Sequence, residues 1–138
     1  MTDGGTGSRV RRSGRRTARR TALVLLYQSD LTGRPLASLY EGEIDPFARD
    51  LAEAVLAEAP RLDEQISAVS EGWPAERLGV VERNILRIGV HELTRGTVPL
   101  EVAIDEAVRL AKRYASEDAA RLVNGVLGRI ARERGRAG

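Results

Sequence analysis

Along the body of this 138-residue chain the apolar residues return every three or four positions, and no stretch alternates convincingly with period two. That periodicity restricts the fold more than any other feature, because it builds apolar stripes on helices and cannot build a half-buried strand. The first stripe, Ala18, Ala22, Leu25 and Leu26, predicts a helix over about 15–31, stopped by Thr32-Gly33-Arg34-Pro35. A short turn of helix at 35–40 leads to Asp45-Pro46, an N-cap followed by proline at the first helical position. Phe47, Leu51, Ala54, Val55 and Ala59 mark the buried face that follows. Leu62, Ile66 and Val69 continue after Pro60 to the breaker Glu71-Gly72-Trp73-Pro74, read as a hinge between halves at about 15–72 and 75–134.

The second half carries three longer stripes. Leu78, Val81, Ile85, Ile88 and Leu93 end at Gly96 and Pro99; Ala103, Ala107, Leu110, Ala111 and Tyr114 follow; Ser116 caps a last helix through Val123, Leu127 and Ile130. Six to seven helices joined by short loops make an all-α bundle in a single domain, large enough to need no disulfide or metal. Residues 1–14 read as a disordered basic arm and 135–138 as a tail.

Charge is distributed unevenly. Seven arginines (Arg9, Arg11, Arg12, Arg15, Arg16, Arg19, Arg20) and Asp3 give the first twenty residues a charge of +6, against +2 for the whole chain. Arginine clustered at one end of a near-neutral body suits a phosphate-rich partner, because the guanidinium stays charged and presents a planar fork of donors. Basic arms are also often mere solubilising tails. The spacing of Arg15, Arg16, Arg19 and Arg20 argues against that, since i, i+1, i+4, i+5 gathers them on one side of a helix. Arginine outnumbers lysine, of which Lys112 is the single example, so position carries more information than residue type.

Chemistry is thinly supplied. There is no cysteine, His91 is the one histidine, and the carboxylate pairs Asp105-Glu106 and Glu117-Asp118 diverge by about 100° on a helix. No catalytic residue, metal or cofactor is expected. No apolar run reaches membrane-spanning or signal-sequence length, and the absence of cysteine fits a cytoplasmic protein. Asn124-Gly125 falls mid-stripe, where glycine costs roughly 1 kcal/mol relative to alanine. Either close helix packing or a partner approaching the backbone would justify it, and Asn124 beside it is a candidate RNA contact.

Two stretches resemble the NusB family of bacterial transcription antitermination factors. One is Val98 to Tyr114 (VPLEVAIDEAVRLAKRY), continuing through Glu117-Asp118 to Leu122–Leu127 (LVNGVL); the other is Val81–Leu93 (VERNILRIGVHEL). The Arg-rich start before Ala22–Tyr27 is similar to that family's first helix. The resemblance implies two small helical bundles packed across each other. It also implies binding of single-stranded boxA RNA together with ribosomal protein NusE, so that RNA polymerase reads through terminators, chiefly on ribosomal RNA operons. It places Arg15, Arg16, Arg19 and neighbouring Arg20 on the RNA surface, and Tyr27 at its end, facing RNA and partner alike. Glu82, Arg87 and Asp118 match positions at or near the NusE and RNA surfaces; Leu122, assigned with them to the partner surface, stands where some members have Phe. A helical scaffold or homodimer remains a separate reading, as does a detached domain of the kind fronting some ribosomal RNA methyltransferases.

Overall fold

The computed structural model describes residues 4–70, 78–96 and 98–137, with side chains placed for 14–70, 78–96 and 98–135. The described residues are helical apart from short connections: α1 (Gly4–Thr32), a 3-10 turn (Leu36–Leu39), α2 (Pro46–Ala57), α3 (Ala59–Val69), α4 (Val80–Arg95), α5 (Leu100–Tyr114) and α6 (Glu117–Ala137). The fold is all-α, as the periodicity requires.

The stop and start signals act where expected. The Asp45 carboxylate accepts the Phe47 N–H at 2.9 Å, and the Ser116 hydroxyl accepts the Ala119 N–H at 3.0 Å. Each satisfies one of the donors a helix leaves orphaned at its first turn. Gly96 ends α4 with φ of 69°, a left-handed conformation that a side chain disfavours.

Two helices extend beyond their expected ends, and one residue expected in the core is exposed. Helix α1 starts at Gly4, so the backbone of the arm expected over 1–14 is helical from Gly4 onward. Once the apolar part of α1 provides a nucleus, each added residue gains a hydrogen bond, and arginine is a good helix former. Helix α6 similarly runs through to Ala137, into the expected tail. Phe47, read as part of the buried face of α2, is 38% exposed. The hinge expected at Glu71-Gly72-Trp73-Pro74 lies outside the described residues, whereas the chain divides into compact units at Met1–Ala54 and Val55–Gly138, within α2.

In the first unit α1 packs on the 3-10 turn, and Ala22, Leu23, Leu26, Leu36, Ala48 and Leu51 are buried. In the second, α5 and α6 pair along their lengths, α4 lies against both, and α3 contacts α4 and α6. The glycine that this packing demands is Gly89. A Cβ there would meet Leu127 Cδ1 at 2.7 Å and Ala107 Cβ at 3.4 Å, so α4 approaches both α5 and α6 through a missing side chain. Gly125 is the opposite case: a Cβ on it would meet nothing within 4 Å. Of the two justifications for a mid-helix glycine there, packing is the one the structure removes. A paired prediction follows from the geometry. Gly89→Ala lowers stability by about 1–3 kcal/mol through overpacking, while Gly125→Ala raises it by about 0.5–1 kcal/mol by restricting the unfolded chain. Urea midpoints of the two variants should move in opposite directions.

Helix α4 carries a polar seam invisible to an apolar-stripe analysis. Asn84, Arg87, His91 and Arg95 recur at i, i+3, i+7 and i+11, on the side turned to α3. Glu58, at the α2–α3 junction, receives hydrogen bonds from Arg95 and from Arg61 (2.7 Å), and lies 3.3 Å from His91 Nδ1. The Arg95 hydrogen bond, helped by His91 and Arg61 and opposed by burial, holds the Glu58 carboxyl down at about 2, from 4.5. A carboxylate depressed in this way adds stability above its unfolded pKa and loses it as pH falls from 4.5 towards 2. Arg61 and Arg95 are half exposed, so solvent screening limits the effect to on the order of 1–2 kcal/mol. Glu58→Gln should therefore be less stable than the parent at pH 7 and nearly equal to it at about pH 2, which urea titrations across that range would measure.

Candidate nucleic-acid interface

The four arginines of α1 do not share one environment. Positions i, i+1, i+4 and i+5 sweep about 140° of a helix, too wide an arc to clear an apolar stripe of more than about 100°. Arg15 and Arg16 are exposed and Arg20 is half-exposed, but Arg19 is only 4% exposed, beside buried Ala18, Ala22 and Leu23. Arg19, expected on the RNA surface, is thus a buried residue of α1, unlike its three arginine neighbours. Its burial could not be foreseen from spacing alone, because the edge of the apolar stripe depends on what covers it.

Arg16, Arg20 and Tyr27 instead form one line, since separations of four and eleven residues return to within about 40° of the same direction. Arg20 Nη2 donates to Thr17 Oγ1 at 3.2 Å, which steadies its stem along the helix. Tyr27, half-buried, closes the line at the end expected. Beside it, Thr17, Arg20, Thr21 and Val24 line a shallow depression of about 310 Å³. Arg15 leans the other way, its guanidinium carbon 5.4 Å from the centroid of the Phe47 ring. Phe47 does not stand out in the sequence because its spacing to Leu51 and Ala54 reads as core.

Apart from Tyr27, the residues expected at a protein partner lie in the second unit, and they separate too. Arg87 is buried and consumed internally: Nε and Nη2 donate to the two carboxylate oxygens of Asp63, each at 2.7 Å, and Nη1 donates to Asn84 Oδ1 at 3.1 Å. Such a bidentate fork is the strongest geometry an arginine has, and in this structure it turns the guanidinium inward to Asp63. Glu82 is half-buried in the first turn of α4, its carboxylate folded over Gly79 where a Cβ would collide with it. A negative charge there is favoured by the helix dipole. Asp118 stands in the first turn of α6, paired with Arg121 on an open surface, where the pair adds little stability and is easily exchanged for another partner. Leu122, one turn on, is half-buried. Asn124 and Gly125 are exposed, but Asn124 is about 120° around α6 from Asp118 and does not share its face.

Among the described residues no three acidic or histidine side chains converge in a way that would hold a metal ion, and no helix is long and apolar enough to cross a membrane.

The sequence model of the NusB family matches residues 16–132, nearly the whole helical body. The chain belongs to the NusB family. The transcription antitermination protein NusB of Rubrobacter xylanophilus is 45% identical over 120 residues, covering 82% of this chain and 86% of that one. A structure of NusB from T. maritima superimposes with a TM-score of 0.76 at 34% identity, covering 86% of this chain and 91% of its own. A crystal structure of the antitermination factors NusB and NusE in complex with double-stranded RNA gives 0.73 at 32% identity, covering 86% and 96%. Membership of the NusB family accounts for the long ordered signature in α4 to α6, much of which is core: of Val81–Leu93 every residue from Asn84 onward is buried.

Proposed function

We propose that this chain is a transcription antitermination factor that binds boxA-type single-stranded RNA together with ribosomal protein NusE in the cytoplasm. Its task is to help RNA polymerase read through terminators, chiefly on ribosomal RNA operons, as a binding protein and not as an enzyme. The observation that carries the reading is the outward line of Arg16, Arg20 and Tyr27, with Arg15 beside it, on α1 of a NusB-family chain. Guanidinium groups grip phosphates and a tyrosine face receives an unpaired base, the combination that single-stranded RNA requires. Asp118 and Glu82, which RNA would repel, suit a basic ribosomal protein, with Leu122 as an apolar contact and Asn124 as a further polar contact to RNA.

Three outward arginines neutralise about three phosphates, giving a single-strand salt slope of roughly −2 in log–log terms. Binding by the isolated protein is accordingly modest, and NusE adds affinity by contributing its own RNA contacts. Fluorescence anisotropy with a labelled boxA-type RNA, a scrambled RNA and a blunt duplex, with and without NusE, tests the reading. Preference for the boxA-type strand that NusE strengthens is the expected result. Equal binding to all three RNAs, unchanged by NusE, would leave a generic polycation. Val24 and Leu31, 46% and 60% exposed on α1, favour a second reading in which this helix also mediates a homodimer. Sedimentation at several concentrations separates the two.

A further inference from the structure

We infer that Phe47 and Arg15 form a stacking subsite for one unpaired nucleobase, adding an aromatic contact to the arginine line on which the RNA-binding reading rests. Phe47 is the only phenylalanine in the chain, and it lies open to solvent while Ala48 and Leu51 of the same helix are buried. Its position is fixed by the start of α2: the Asp45 carboxylate holds the Phe47 N–H, and Pro46 sets the first helical residue. The ring is therefore presented from a rigid helix end, and the Arg15 guanidinium lies over it.

A cation–π contact at an exposed site is weak, so it does little by itself to offset the exposure of a large apolar ring. It does prearrange a flat surface. A base laid against Phe47 extends a stack of guanidinium and ring, and the Arg15 charge attracts the phosphate of the same nucleotide. The two parts are already ordered, which reduces the entropy lost on binding. Stacking uses the π-face that every base possesses, so the subsite tolerates base changes but requires a base to be present and unpaired. A duplex, with its bases stacked internally, has nothing to offer it. The subsite thereby selects single strands, a discrimination that phosphate contacts alone do not make.

The test uses the full-length chain and a boxA-type single-stranded RNA in which each nucleotide in turn is made abasic. With the wild-type protein one abasic position should weaken binding about tenfold, and Phe47→Leu should weaken binding of the intact RNA by about the same factor. In Phe47→Leu the abasic substitution should then cost nothing further. Because that comparison is made within one variant, any loss of stability in Phe47→Leu cancels. A second variant, Phe47→Trp combined with Trp73→Phe, should keep wild-type affinity, with its indole emission quenched by the single strand and not by a blunt duplex. The subsite is overturned if Phe47→Leu binds intact RNA as wild type does, if every abasic penalty persists in it, or if the indole emission of the Phe47→Trp variant ignores RNA. Should Arg16→Ala/Arg20→Ala weaken binding while Phe47→Leu does not, the RNA-binding reading stands and the stacking subsite falls. Absence of RNA binding by the wild-type chain removes both.

Discussion

Replacing Asp63 by alanine is expected to destabilise the second unit by about 3 kcal/mol, seen as a lowered urea midpoint with little change in slope. The side chain of Arg87 is 10% exposed and that of Asp63 29%, so the two ends of the pair are not equivalent. Losing Asp63 strands a guanidinium that water reaches poorly, and a buried charge without its partner carries most of its desolvation penalty. Losing Arg87 instead leaves a carboxylate that can rehydrate, so Arg87→Ala should be milder than Asp63→Ala by about 1 kcal/mol or more. Replacing both by apolar residues of similar volume should restore much of the loss. A double-mutant cycle that found the two single variants equal, or additive, would show that the pair is solvent-screened. For Arg87 to reach outward to a partner, the bidentate pair would have to break at the penalty just described.

The second large effect is on RNA. Arg16→Ala/Arg20→Ala should weaken binding of a boxA-type strand by about 10- to 100-fold at physiological salt and flatten the salt slope by about 1.4, the share of two phosphates. Its helicity and thermal midpoint should stay close to the parent, because outward arginines contribute little packing. Arg19→Ala should do the reverse. It removes a buried side chain, lowering stability, and leaves the salt slope where it was. Anisotropy across a salt series, paired with thermal melts, measures both quantities on the same samples. A flattened slope in Arg19→Ala would return that residue to the RNA surface.

The all-α class, the caps at Asp45 and Ser116 and the stop at Gly96 were legible because each depends on neighbours within one turn. Family membership was legible for a related reason, since the α4 to α6 signature is a run of residues whose order is preserved along the chain. Arginine placement was legible only in part. Spacing put Arg15, Arg16, Arg19 and Arg20 on one side of α1, but it could not say that Arg19 lies inside the edge of the apolar stripe. Phe47 shows the converse. Its period matches the core of α2, yet it sits at the helix start, where an aromatic is exposed unless another element covers it.

Glycines divide in the same way. Asn124-Gly125 draws the eye because it breaks a local rule, but the space above Gly125 is open; Gly89, unremarked within a regular stripe, is where three helices of the second unit meet. Sequence by itself determined the helices, the ends marked by Asp45, Gly96 and Ser116, the concentration of arginine on α1 and the family, all consequences of short-range hydrogen bonding and of periodicity. Only the tertiary structure decided which charged groups were taken up inside the fold, Arg87 by Asp63 and Glu58 by Arg95, and which were turned outward on α1. The reason is physical: burial and ion pairing are set by residues 24 to 37 positions away in the chain, a distance over which helical periodicity carries no information.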